Sequence, residues 1–560
     1  MQKIIYLFLL LGTIGFTSAK ADVSHARVGT RGMVAADHSL ASEAGLDLLK
    51  RGGNAVDAAC GAAFVLGVVN PSGSGIGGGG FMLIKRPDDK LPIALDFRET
   101  APLAADRNMY EKKGIEKDAS RVGALAIAVP GEVLGCAKAI ETYGKLELHQ
   151  VLAPAISLAK YGFPVGPHLA KTVTLVEDTL KTHLDMSRIF LPNGKPVVVG
   201  QKMHRPKLAR TLSQIARFGT KVFYSGWIAK DIVKIVKKKG GILSLKDLAK
   251  YRIAHREPLQ TTYRGFDVFV MPPPSSGGVA LIQSLNILSH WNLASLEHNS
   301  SDYIHLLAET LKHVFADRAQ FLGDADFVTV PVRTLVSPSY TNDLTKKIGK
   351  NVLLHKDYGG KAPLNASHRD SGTSHVSVVD QQGNAVALTT TINTTFGSMV
   401  ITEKSGIILN NQMDDFTTQP DTPNMFDLVQ SEKNIIAPKK RPLSSMSPTL
   451  VTKDNKVVLV VGGSGGPTII SGTLQVLLNV LDFGMEPADA TRALRIHHQW
   501  VPNLLRIEKG ISRSIVKELK LRGRRTRFVT QPSTAIQTVL VKEKLHGASD
   551  PRKYGEPAGY

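Results

Sequence analysis

Apolar residues recur at helical spacing through much of the first two-thirds of this 560-residue chain, then alternate with polar ones. Ala41, Ala44 and Leu48 share one face of a helix over 40–50, which Gly52-Gly53 stops. Asn54 caps a second helix, rich in Ala and Gly, that runs to Val69 and ends before Pro71. From Pro130 to about Lys250 the pattern is mostly helical, with amphipathic stretches over Leu148–Tyr161 and Leu208–Phe218. Tyr303–Phe321 is helical again. Arg31–Ala36 and Ile93–Glu99 read as strands, the second ending in charge. Beyond residue 372 strands dominate. His375–Asp380 and Ala385–Thr391 flank the turn Gln381-Gln382-Gly383-Asn384 as a hairpin, Thr449–Thr452 and Val457–Val461 form another, and Thr534–Lys542 adds a strand. Helix-rich first, strand-rich later and without repeats, the chain predicts α/β layers around a mainly antiparallel sheet.

Two loops stand out. Gly73 to Gly80 is glycine-rich, but Phe81-Met82-Leu83-Ile84 follows where a phosphate loop needs Gly-Lys-Ser/Thr. It reads as a tight turn into a strand, with glycine permitting close backbone approach. Met271-Pro272-Pro273-Pro274-Ser275-Ser276-Gly277-Gly278 is a rigid loop leading into a helix.

The segment from Asn351 to Gly372 turns to Gly, Lys, Asn, Ser and Asp, a linker signal. Ser371-Gly372-Thr373-Ser374-His375 follows, with Gly372 ending a flexible approach and Thr373 at the mouth of a strand. An internal threonine is a poor nucleophile. If the Gly372–Thr373 bond is cut, Thr373 gains an α-amine titrating near ~7.7–8.0, a usable base beside its own hydroxyl. By pattern alone Thr373 also reads as an ordinary strand-entry residue, and His375 as a partner of Ser374 or Ser377.

Composition narrows the classes. Hydrophobic content of 42% and charged content of 21% describe a globular chain, not a disordered one. The formal charge of +21 divides into about +6 after residue 372 and about +15 before it, dispersed and without nucleic-acid motifs. It reads as a solvated surface, with no nucleic-acid partner. Cys60 and Cys136 are too few for a disulfide scaffold; Cys60 reads as a buried free thiol. His497-His498 lacks metal-ligand spacing, and no metal or cofactor is expected. Lys3, the apolar run Ile4–Phe16 and Ala19-Lys20-Ala21 form a signal peptide over 1–21, predicting a periplasmic or secreted protein; the alternative is an uncleaved anchor.

From about residue 28 to Tyr560 the chain resembles the γ-glutamyltranspeptidases, N-terminal-nucleophile hydrolases. The resemblance rests on 51–59 (Arg-Gly-Gly-Asn-Ala-Val-Asp-Ala-Ala), the turn into Phe81, Leu95-Asp96-Phe97-Arg98-Glu99 and 271–278. It continues in Thr373-Ser374-His375, 393–397, 411–416, 441–448 and Gly465-Gly466. It implies an αββα sandwich with central, mainly antiparallel sheets, built jointly by a large subunit (22–372) and a small one (373–560). It implies self-cleavage at Gly372–Thr373, then attack by Thr373 on glutathione or other γ-glutamyl compounds, with water, amino acids or peptides as acceptors. Thr391 matches the threonine supporting the nucleophile, and Gly465 and Gly466 the oxyanion donors. Arg98, with Ser444 and Ser445, matches the handle for the α-carboxylate; Asp415, with Asn393 and Gln412, matches the handle for the α-ammonium. Without the resemblance, Arg98 reads as a surface pair with Glu99, and Asp414-Asp415 as a turn.

Two positions depart from the family pattern. Phe426 stands where bacterial relatives usually place a lid tyrosine, so a ring remains without its hydroxyl. Gln531-Pro532-Ser533-Thr534 replaces a more usual glycine-rich approach. The rivals are a β-lactam side-chain acylase of the same fold, disfavoured by Asp415, and an uncut binding protein, disfavoured by Gly372-Thr373 and Gly465-Gly466.

Overall fold

A computed structural model describes residues 26–358, 371–418, 423–530 and 534–560. The expected signal peptide, most of the expected linker and Gln531-Pro532-Ser533 lie outside the described residues.

Two seven-stranded antiparallel sheets lie face to face. The first runs Ala558–Gly559, Met33–Ala36, Ser371–Val379, Ala385–Thr394, Gly79–Lys85, Ile93–Phe97, Ala254–Arg256. The second runs Ala26–Gly29, Leu545–Ser549, Ala535–Val541, Lys456–Ser464, Thr449–Lys453, Phe266–Val270, Leu259–Tyr263. Alternating residues of both, among them Ala35, Phe81, Leu83, Leu450, Val460 and Val539, fill the layer between them. Helices cover the outer faces. Ser39–Lys50 and Ala55–Val69 pack on the first sheet, and Ser276–Leu288 and Thr468–Leu481 on the second. The result is the αββα sandwich. Both halves of the chain supply strands to each sheet, so neither builds a sheet alone.

Local chemistry fixes these elements. Asn54 Oδ1 accepts the N–H groups of Val56 and Asp57, while Asp57 accepts that of Asn54, which closes a capping box on Ala55–Val69. Every residue of this helix is buried, and its small side chains let it lie close to the sheet. Asp380 Oδ2 accepts the N–H of Ala55 (2.9 Å), tying the helix to the end of the hairpin strand. The glycine run is packing, as the sequence predicts: a Cβ on Gly78 would sit 2.0 Å from the carbonyl oxygen of Thr391.

One expectation needs correcting. Gly372 is not the end of a flexible approach but lies inside the strand Ser371–Val379. Its Cα is crowded, with the Ser72 carbonyl 2.4 Å from where a Cβ would stand, so only glycine fits. Cys60 and Cys136 are both buried and free, 3.8 Å separating the Cys60 Sγ from the Cys136 carbonyl oxygen.

Candidate active site

Thr373 lies at an irregularity in the hairpin. Gly372 pairs with Asn393 and Ser374 with Thr390, so Thr391 and Ile392 together face the single residue Thr373. Such a bulge releases a residue from the ladder and re-aims its side chain. The Thr373 hydroxyl donates to the carbonyl oxygen of Gly372 (2.6 Å) and lies 3.1 Å from Thr391 Oγ1. Thr391 Oγ1 also donates to the Gly372 carbonyl (2.7 Å) and accepts the N–H of Asn393 (2.8 Å). Two hydroxyls thus converge on the carbonyl of the bond expected to break.

His375 has no part in this. Its Nδ1 meets Thr389 (2.7 Å) and its Nε2 meets Ser377 (3.1 Å), the neighbour on its own strand face. Full burial pushes its pKa down to about 3, so the ring stays neutral. Ser374 is held instead by Ser74 (3.0 Å) and Asn70 (3.3 Å).

A narrow cleft opens beside Thr373, lined by Arg98, Arg318, Thr391, Asn393, Gln412, Asp415, Phe426, Ser444, Ser445 and Gly466 among others. Eight of the nine site residues read from the sequence beyond the cleavage pair border it with Thr373. The ninth, Gly465, is adjacent in the chain. Gly465 and Gly466 adopt positive φ (132° and 60°) between Lys456–Ser464 and Thr468–Leu481, and Thr468 Oγ1 donates to the Gly465 carbonyl (2.6 Å). Among the described residues, neither glycine N–H donates to a protein acceptor.

The far end of the cleft is charged. Arg98 follows Ile93–Phe97 and is 1% exposed, which rules out the surface-pair reading. Its Nη2 donates to Asp415 Oδ2 (2.5 Å) and its Nε to the Pro442 carbonyl (3.3 Å). Gln412 Nε2 also donates to Asp415 Oδ2 (3.2 Å). The two residues matched to opposite ends of one ligand head are therefore paired with each other. Burial raises the Asp415 pKa; the Arg98 charge opposes this. Glu99 is fully buried with neither carboxyl oxygen hydrogen-bonded and Oε2 3.7 Å from Arg98 Nη1; desolvation pushes its pKa up to about 8 against the Arg98 charge.

The rigid Pro-Pro-Pro loop has a clear task here. Ser276 donates through its N–H (2.7 Å) and hydroxyl (2.6 Å) to the Ser444 carbonyl, while the Ser444 N–H donates to the Pro274 carbonyl (2.8 Å). Ser444 and Ser445 are thereby fixed at the cleft wall. Asn393 holds φ at 80° and donates to the Asn411 carbonyl (3.0 Å). Phe426 is 4% exposed; its carbonyl accepts from Gln499 Nε2 (2.9 Å), and the preceding N–H of Met425 donates to Asp414 (3.1 Å).

Three contacts were not legible in the sequence. Lys553, buried near the C-terminus, donates to the Thr373 carbonyl (2.8 Å) and Ser464 Oγ (2.7 Å) and pairs with Asp37 (3.2 Å). Arg318 lines the cleft from the helix Ser301–Phe321. Glu132 accepts from Thr390 Oγ1, beside Thr391. Among the described residues no group of three or more His, Cys, Asp or Glu is arranged to hold a metal ion.

An αββα sandwich with a threonine hydroxyl held on the preceding carbonyl, opposite a bulge in the neighbouring strand, is the fold of the N-terminal-nucleophile hydrolases. The fold agrees with that of a cephalosporin acylase from Bacillus halodurans: TM-score 0.85, 29% identity, 96% of this chain and 97% of that one covered. The chain belongs to the γ-glutamyltranspeptidase family, whose model matches residues 41–560. It is 41% identical over 545 residues to the glutathione hydrolase proenzyme of Escherichia coli (strain K12), covering 96% of this chain and 93% of the relative. It is 38% identical to that of Pseudomonas aeruginosa, with 99% of each covered. A chain of the Helicobacter pylori γ-glutamyltranspeptidase structure matches 56% of this chain and 90% of its own length, at 39% identity and TM-score 0.54.

Proposed function

We propose that this protein cuts itself between Gly372 and Thr373 and then hydrolyses or transfers the γ-glutamyl group of glutathione and related compounds. The carrying observation is one cleft with the Thr373 hydroxyl at one end and a matched Arg98–Asp415 pair at the other. Cleavage begins with Thr373 Oγ1 attacking the Gly372 carbonyl, which Thr391 polarises by its hydrogen bond. The bond to Thr373 N breaks, and water releases residue 372 as the end of a large subunit (22–372). Residues 373–560 become the small one.

In turnover, the freed α-amine takes the Thr373 hydroxyl proton as Oγ1 attacks the γ-carbonyl. The Gly465 and Gly466 N–H groups receive the oxyanion, a donor of this type contributing ~2.7–4 kcal/mol to barrier lowering. The leaving amine takes the proton and departs. Water, an amino acid or a peptide then removes the acyl group.

The substrate head explains the charged end. Its α-carboxylate replaces Asp415 on Arg98, with Ser444 and Ser445 assisting, and its α-ammonium replaces Arg98 on Asp415, with Asn393 and Gln412 alongside. Each charge keeps a partner, which a dry site requires. Phe426 closes the cleft with an apolar ring. The apolar stretch 4–16 and Ala19-Lys20-Ala21 support export to the periplasm or beyond.

Likeness to the acylase gives the second reading, a glutaryl-type amide hydrolase. Purified protein is offered γ-glutamyl and glutaryl p-nitroanilides, differing only in the ammonium. The proposal expects kcat/KM at least about 10²-fold higher for the γ-glutamyl amide, the loss of one charged contact at a buried site. A preference for the glutaryl amide replaces it with the acylase reading.

A further inference from the structure

Buried arginines elsewhere in this protein have an acid: Asp550 for Arg495, Glu309 for Arg524, Asp96 for Arg441. Arg205 has none among the described residues, but two backbone carbonyls, of Gly67 and Gly406, take its guanidinium. Arg318 differs. It is 2% exposed and lines the catalytic cleft, yet no carboxylate among the described residues lies within ion-pair distance of it; the Asp415 charge, already paired with Arg98, acts on it only from farther off. Its Nε donates to Ser276 Oγ (3.0 Å) and its Nη1 reaches Gln430 Oε1 at 3.5 Å, both neutral partners. A guanidinium withdrawn from water with no ion pair of its own is destabilising, so its position at a ligand cleft points to an anion supplied from outside.

Its neighbours locate that anion. Ser276 holds the backbone of Ser444, and Gln430 Nε2 donates to the backbone carbonyl of Asp415 (3.1 Å). Arg318 thus sits between the residues proposed for the two charges of a γ-glutamyl head. Such a head exchanges partners with the Arg98–Asp415 pair. A carboxylate without an ammonium has no such exchange, because freeing Arg98 leaves Asp415 bare. For that anion the cation without an ion pair of its own is Arg318.

We propose that Arg318 is a second anion handle of the cleft, giving it affinity for small carboxylates that carry no ammonium group. This rests on the reading of the cleft as the γ-glutamyl site. It predicts inhibition by dicarboxylates such as glutarate through a contact that glutamate does not depend on.

The test measures inhibition of γ-glutamyl-p-nitroanilide hydrolysis by glutarate and by glutamate, in wild type, Arg318→Gln and Arg318→Lys. Wild-type turnover checks the underlying reading by itself. The proposal expects competitive inhibition by glutarate, with Ki about tenfold or more higher in Arg318→Gln, the worth of one charged hydrogen bond. Arg318→Lys recovers part of it, and the glutamate Ki moves less than about threefold. Equal weakening of both inhibitors assigns Arg318 to the shape of the cleft and overturns the proposal, as does a wild type that glutarate does not inhibit. If Arg318→Gln does not fold, Arg318→Lys decides: an unchanged glutarate Ki overturns the proposal, and a raised one with glutamate unaffected supports it. If wild type turns over no γ-glutamyl amide, calorimetry with glutarate still reads the handle, and equal heats for wild type and Arg318→Lys count against it.

Discussion

The two ends of the cleft are built from opposite materials. At Thr373 the cleft is lined by neutral groups, the hydroxyls of Thr373 and Thr391 and the Gly466 backbone, while the charged Lys553 meets the Thr373 carbonyl from outside the lining. At the other end Arg98, Arg318 and Asp415 place three charges out of water. The neutral end is held by strand pairing and a bulge, so its geometry exists before any ligand arrives. The charged end is held by its own ion pair, which the proposed ligand head replaces. On that proposal chemistry is preset at one end, and selectivity is an exchange of partners at the other.

Substitutions separate the ends. Thr373→Ala abolishes both cleavage and turnover, a loss on the order of 10⁶ in kcat as for other essential nucleophiles. Retained self-cleavage on a denaturing gel breaks the assignment. Asp415→Ala acts at the charged end and leaves self-cleavage intact. It lowers kcat/KM for a γ-glutamyl amide by about 10²–10³-fold, since an unpaired Arg98 remains buried. The glutaryl amide loses much less, and equal losses on both end the exchange account. Thr391→Val removes a hydroxyl from the Gly372 carbonyl and slows self-cleavage about tenfold, one hydrogen bond's worth, in a time course of precursor decay.

The smallest effect is in pH. Burial raises the Asp415 pKa against the opposing charges of Arg98 and Arg318, and Asp414 pushes it the same way as burial. Its carboxylate therefore takes a proton at a higher pH than an exposed aspartate does. As pH falls through that raised value the ammonium loses its partner, so kcat/KM for the γ-glutamyl amide falls first. The glutaryl amide does not share that limb. Coincident acid limbs would show that the α-amine of Thr373 alone sets both.

Much of this was legible in the chain. Strand alternation gave the hairpin, the cap at Asn54 gave its helix, and the quoted motifs gave residues that converge on one cleft. Burial of Arg98 and its pairing with Asp415 were not, because spacing does not report solvent. Gly372 was misread as flexible, since glycine marks a mobile approach and a crowded strand equally well. Lys553 was invisible for a simpler reason. It lies 180 residues from Thr373, at an unremarkable place in the tail, and only the fold brings it to the Thr373 carbonyl.

The account depends first on a new chain end. Purified protein is run on a denaturing gel and both bands are sequenced from their N-termini. Two bands, the smaller beginning Thr373-Ser374-His375, are predicted. A single intact chain, or a terminus at any other residue, contradicts the central claim.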